Sequence, residues 1–184
     1  MSINNSEDDS EIVEAFCKYI CPSKSIEHKH TQAGVKNYRK PQNIFRWNSK
    51  HMFETLESYN IHPRKTYDSN FKLPDNIIPN ELMRHFVRGF FDGDGHKGLS
   101  EIDFCFNSKY FMEQIFDYFR QFNHRFYEIK GKTCTYYRGY ITGGKILMEW
   151  LKHEFYDNAH LYLNRKYTLF NTEVTTETKE SVAP

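Results

Sequence analysis

The sequence has no apolar run approaching the roughly 20 residues that a membrane-spanning helix needs. Its acidic, polar N-terminus is unlike a signal peptide. The expectation is an intracellular protein, with cytoplasm, nucleoid, nucleus and organelle matrix left undistinguished. Paired CxxC spacing is also missing: the four cysteines are Cys17, Cys21, Cys105 and Cys134, and the first two sit one helical turn apart. That argues for reduced thiols over a disulfide scaffold or zinc site. No glycine precedes Gly34, and residues 1–14 contain five acids but neither Lys nor Arg. Residues 171–184 carry −2, so residues 15–170 stand at +8 although the whole 184-residue chain is only +1. A basic body between acidic ends suits a polyanion partner, and it equally suits an ordinary soluble surface.

What is present in excess is aromatic: 13 Tyr and 16 Phe. What is repeated is more informative. Residues 10–20 and 109–119 both place apolar side chains at helical spacing. Each is followed by a basic, aromatic, alternating stretch, 25–47 and 124–142, which predicts a hairpin with Gly34 or Gly131 near its turn. Each hairpin leads to a second helix, 49–59 and 144–156. Each copy closes on a basic pair, Arg64-Lys65 and Arg165-Lys166. A unit of helix, hairpin, helix and Arg-Lys that recurs about a hundred residues on reads as a duplication. The second copy is preceded by ELMRHFVRGFFDGDGHKG and a predicted strand over 100–108; the first is preceded only by MSINNSEDD.

Residues 81–92 predict a helix with Leu82, Phe86, Val87 and Phe90 on its apolar face. Gly89 and Gly93, four apart, would let another helix approach closely. Gly95 is expected to stop the helix in a left-handed conformation, leaving Asp94 at its end. A carboxylate at a helix C-terminus is disfavoured by the helix dipole, and a divalent cation would compensate it. Taken alone, Asp92-Gly93-Asp94-Gly95 is most often a plain turn; a calcium loop would also need the alternating acids and closing Glu that the following residues lack.

In context, FVRGFFDGDG (86–95) resembles the motif of the LAGLIDADG homing endonucleases. NIHPRKT (60–66) with LPDNIIP (73–79) resembles the segment preceding the second motif of single-chain, two-repeat members. YLNRKYTLF (162–170) resembles the end of their second repeat. The resemblance implies an α+β fold: duplicated αββαββα halves with curved antiparallel sheets, here with the first half truncated at its N-terminus. The expected divisions are 1–9 as a disordered acidic N-terminus, 10–80 as the truncated first half-repeat, 81–170 as the complete second repeat, and 171–184 as a disordered tail. It also implies a site-specific, Mg²⁺-dependent double-strand DNA endonuclease of the intron- or intein-associated homing type. Asp94 would ligate the metal, and Asp94, Lys65 and Lys166 would be catalytic. Gly89, Gly93 and Asp92 would serve packing of the motif helices.

Strand residues would contact double-stranded DNA: Lys36, Arg39, Lys40 and Arg46 in the first copy, and Lys130, Lys132, Tyr136, Tyr137 and Arg138 in the second. Because side chains alternate along a strand, only about half can face DNA. His28 and His30 alternate similarly and read as sheet-face residues, with a metal pair as the rarer outcome. His96 is placed to touch DNA or water near the metal, and Trp47 and Trp150 read as core or edge aromatics. A two-repeat enzyme needs an acid from each motif helix, and no first motif is found here. Three explanations stay open: a homodimer pairing two copies of the motif helix, a partner chain or upstream segment supplying the second one, or an inactive DNA-binding remnant, regulator or splicing helper.

Overall fold

The computed structural model describes residues 2–29, 41–63, 68–131 and 134–171. Strand β1 (Ser2–Ser6) leads through a 3-10 turn to helix α1 (Ser10–Ile20), followed by β2 (Glu27–Lys29), β3 (Gln42–Arg46) and α2 (Lys50–Ser58). The second half comprises α3 (Asn80–Asp94), β4 (His96–Lys97), β5 (Glu101–Phe106), α4 (Lys109–Asp117), β6 (Asn123–Lys130), β7 (Thr135–Thr142), α5 (Gly144–Tyr156) and α6 (Asn164–Thr168). Both sheets are antiparallel, with strand orders β1-β3-β2 and β4-β5-β7-β6.

The two orders superimpose as topology: β1, β3 and β2 match β5, β7 and β6, while α1 and α2 match α4 and α5. This is the internal repeat expected from sequence. Helix α3 and strand β4 have no counterpart in the first half among the described residues. One expectation is corrected. Residues 2–6, expected to be disordered, form β1 and pair with β3 from Ser2↔Arg46 to Ser6↔Gln42. The sequence SINNS has no apolar alternation to announce a strand. Its order comes from backbone pairing to a strand some forty residues away, with Ile3 packing toward Phe45 and Trp47. The predicted tail lies outside the described residues beyond Asn171.

The halves have unequal cores. The first packs Val13, Cys17, Phe45 and Trp47, with Phe45 and Trp47 stacked at 4.8 Å. The second joins α3, α4 and α5 to β5 and β7 through Val87, Phe91, Ile102, Phe104, Met112, Phe116, Phe119, Ile141, Leu147, Leu151 and Phe155. Burying one such side chain contributes about 1.5–3 kcal/mol, so most of the stability resides there. Trp150 packs at the margin against Tyr118, Phe119 and Phe122. Helix starts are set locally: Ser49 and Ser108 accept from the N–H of Met52 and Phe111, the reciprocal of an N-cap's orphan donors.

The linker preceding α3 is fastened by Gln114 on α4, whose amide takes the N–H of Leu73 at 2.9 Å and donates to its carbonyl at 2.8 Å. The halves meet through polar ties. Arg165 on α6 donates to both carboxylate oxygens of buried Asp9 at 2.7 and 3.0 Å, and the Asn164 N–H bonds Glu11 at 3.1 Å. All four cysteines are free. Among the described residues no helix is long and apolar enough to cross a membrane.

Candidate functional site

Helix α3 organises the site because its sides are unlike. Val87, Arg88, Phe91 and Asp92 are buried against the second-half core. Gly89 and Gly93 are exposed, and a Cβ built on either would meet nothing within 4 Å. Beside Gly89 runs an open groove lined by Ile61, Phe71, Phe86, Phe90, Phe106 and Phe111, with Asp94 at one end. The small-residue face expected to receive a second helix is thus uncovered by any described residue.

Gly95 corrects a second expectation. It is extended, with φ −77° and ψ 154°, and not left-handed. Glycine is needed there for closeness: a Cβ would fall 2.3 Å from Phe91 Cδ2 and 2.8 Å from the Phe91 carbonyl oxygen. The chain turns tightly under α3, its Gly95 N–H bonding the Phe91 carbonyl at 2.9 Å.

Asp92 and Asp94, two residues apart, have opposite surroundings. Asp92 is buried and accepts from Tyr156 Oη at 3.2 Å and from the Leu163 N–H at 3.0 Å. Burial pushes its carboxyl up to about 6; the Leu163 and Tyr156 hydrogen bonds and the nearby Arg88 and Lys166 charges oppose that rise. The same burial raises the Tyr156 phenol. Asp92 therefore joins the end of α5 to the start of α6 and acts as a structural tether. Asp94 is exposed at the last position of α3 and takes no hydrogen bond from a described residue.

Lys166 is buried beside it. Its Nζ donates to the carbonyl of Gly95, the residue after Asp94, and lies 5.0 Å from the centre of the Phe91 ring. Burial lowers its ammonium from the usual lysine range, Arg165 lowers it further, and Asp92, Asp103 and Asp9 act against this. Two of the sequence-predicted residues, Asp94 and Lys166, are thus brought together at one end of α3. Lys65 lies outside the described residues.

The sheet of the second half has a core face and an open face. Ile102, Phe104 and Phe106 of β5, with Tyr137, Gly139 and Ile141 of β7, pair across the core face. Alternation sends Asp103, Cys105, Tyr136, Arg138 and Tyr140 to the other face, joined from β6 by Arg125 and Tyr127. Of the residues expected to contact DNA, Arg138 and Tyr136 lie on this open face. Tyr137 does not: it turns inward and packs edge-on against Phe126 at 6.1 Å. Lys130 is exposed at the hairpin end near Glu128, 3.9 Å away. Arg46 is exposed and paired with Glu27. Lys36, Arg39, Lys40 and Lys132 lie outside the described residues, as does His30; His28 bonds Asn43 at 2.6 Å.

Arg125, Tyr127, Tyr140 and Asp103 on the open face escaped the sequence reading. Arg125 lies over Tyr127 at 5.7 Å and Arg138 over Tyr140 at 5.3 Å. Asp103, with a side chain only 8% exposed, takes His96 Nδ1 on one oxygen and Arg138 Nε on the other, each at 3.0 Å. The available signal was an acid at an odd position in a strand whose even positions are apolar.

Residues 81–153, from the start of α3 into α5, match the family model described as a LAGLIDADG-like domain. This stretch is a LAGLIDADG-like domain. The match lies within the second repeat, whose helices pack on an open four-stranded antiparallel sheet. A search of curated proteins found no match.

Proposed function

We propose that this LAGLIDADG protein is a homing-type endonuclease that cleaves double-stranded DNA with Mg²⁺, in a site completed by a second motif helix. The observation that carries the reading is the end of α3, where an exposed Asp94 carboxylate adjoins a buried ammonium on the Gly95 carbonyl. The donor set fits a share of a Mg²⁺ site, since this ion binds through one or two carboxylates and retains several waters. Asp94 would hold the metal, which supplies polarisation of the scissile phosphate and of the attacking water. Lys166, its amine held on the Gly95 carbonyl beside the end of α3, is placed to stabilise charge gathering on phosphate oxygen. The uncovered Gly89/Gly93 face is where a second helix, from another copy or another chain, would bring a further carboxylate.

The motif helix of one chain brings a single exposed carboxylate, Asp94, to this end of α3. For the chain acting alone this supports a second reading: a DNA-binding protein, regulator or splicing helper that does not cut. Intron or intein association belongs to the first reading.

The test is binding and cleavage of genomic or library DNA with and without Mg²⁺, comparing the native chain with Asp94→Asn and Lys166→Met. The nuclease reading expects Mg²⁺-dependent double-strand cuts that both variants abolish while retaining DNA. Asp94→Asn cutting at the native rate would remove Asp94 as ligand. Retention without cleavage under every condition would leave the binding protein.

A further inference from the structure

We propose that Asp103 fixes Arg138 as a reader of guanine on the open sheet face, making this pair a determinant of target sequence. The inference rests on the DNA-binding reading above and adds to it a base identity. Asp103 occupies the middle of β5 on the face away from the core, yet it is nearly inaccessible. Both of its oxygens are taken, by His96 Nδ1 and by Arg138 Nε. A buried carboxylate on an otherwise open sheet face needs such partners to offset its desolvation. Their consequence is that two DNA-facing side chains are held in one orientation before any DNA arrives.

For Arg138 the orientation is specific. Nε is engaged at 3.0 Å and the Tyr140 ring lies 5.3 Å from the guanidinium carbon, so the group is held from its base and from one side. Its side chain is still 43% exposed. Engagement through Nε leaves the two terminal nitrogens as an outward fork, and neither donates to a described residue. An arginine fork matches guanine O6 and N7 in the major groove. Prior immobilisation removes much of the entropy cost of using it.

The carboxylate also changes what the arginine prefers. A nearby negative charge weakens attraction to phosphate, and it costs less against the uncharged edge of a base. The other sheet arginines lack this combination. Arg125 lies over Tyr127, and no carboxylate of a described residue pairs with it. Arg46 spends a terminal nitrogen on Glu27, and both side chains are more than half exposed. Those two suit phosphate contact, while Arg138 suits base recognition.

The experiment is selection of bound duplexes from a randomised library by the full chain, in parallel with Arg138→Lys, Asp103→Ala and Asp103→Asn. The native protein should enrich a site with a guanine that Arg138→Lys no longer requires, discrimination at that position falling about tenfold or more. Asp103→Ala should weaken the same position. Asp103→Asn keeps an oxygen for Nε but removes the charge. It should retain the guanine and bind all sequences more tightly, and it decides the role of Asp103 if the alanine variant fails to fold. A guanine requirement unchanged in Arg138→Lys would overturn the proposal while DNA binding stands. So would a uniform loss of affinity with a salt slope lower by about one, the signature of a phosphate contact. An Asp103→Asn variant that binds no more tightly than the native chain would remove Asp103 from it. Enrichment of no DNA at all would instead defeat the DNA-binding reading itself.

Discussion

Replacing Asp92 by Asn tests the tether under the motif helix. Folding moves this carboxyl from 3.8 to about 6, chiefly through burial. Because the folded-state value is raised, the folded chain binds the proton more tightly than the unfolded chain does. Stability linked to this group is therefore fully present below about pH 4 and is lost as pH rises through about 6. The size of the loss follows from the displacement and is on the order of 3 kcal/mol. Asparagine has nearly the same shape, can accept the Leu163 N–H, and can donate to Tyr156 Oη, but carries no charge. The stability of Asp92→Asn minus that of the native chain should increase by about 2–2.5 kcal/mol between pH 4 and pH 7. Urea unfolding at half-unit pH intervals measures it, provided the slopes of the two proteins agree. A difference that stays flat or falls across that range would refute the reasoning. It would mean that the attraction of Arg88 and Lys166 exceeds the desolvation of Asp92.

Gly95→Ala should cost about 1–3 kcal/mol because its methyl would overlap Phe91, as thermal unfolding would report. Gly93→Ala meets nothing and should stabilise the isolated chain by about 0.5–1 kcal/mol; a loss of stability instead would show that the face is covered. Arg165→Ala strands the buried Asp9 carboxylate and should cost about 1–3 kcal/mol by denaturant unfolding. Cys105, on the open sheet face opposite Arg138, should react with an alkylating reagent in the free protein and be shielded when duplex DNA is bound; equal reaction in both states would place DNA elsewhere.

Much of the architecture is legible in the sequence wherever a signal repeats along the chain. The apolar periods of α1, α3 and α5 gave bounds within two residues of those observed, because burying one face of a helix leaves a mark every third or fourth residue. Strand β1 left none, because pairing through backbone groups does not select side chains. At Gly95 the position was read correctly and its cause was not: a left-handed turn and a close contact both demand glycine. The site divides in the same way. Asp94 and Lys166 are marked by a motif and by a repeated ending, but their meeting depends on α6, a five-residue helix without an amphipathic period. The Asp103, His96 and Arg138 cluster spans 43 residues of chain and exists only once β4, β5 and β7 align.

The polar ties between the halves bear on how disturbances spread. Local opening of the first half, with its few core side chains, would release Arg165 from Asp9. Lys166, one residue further on, has separate moorings: Asp92 holds the start of α6 through Leu163, and Gly95 takes the ammonium. The position of this lysine should therefore outlast breathing of the neighbouring half, so that hydrogen exchange in β1–β3 can run far ahead of exchange around α6. Evolution could then remodel the first half, and whatever it touches, while the second half keeps its chemistry in register.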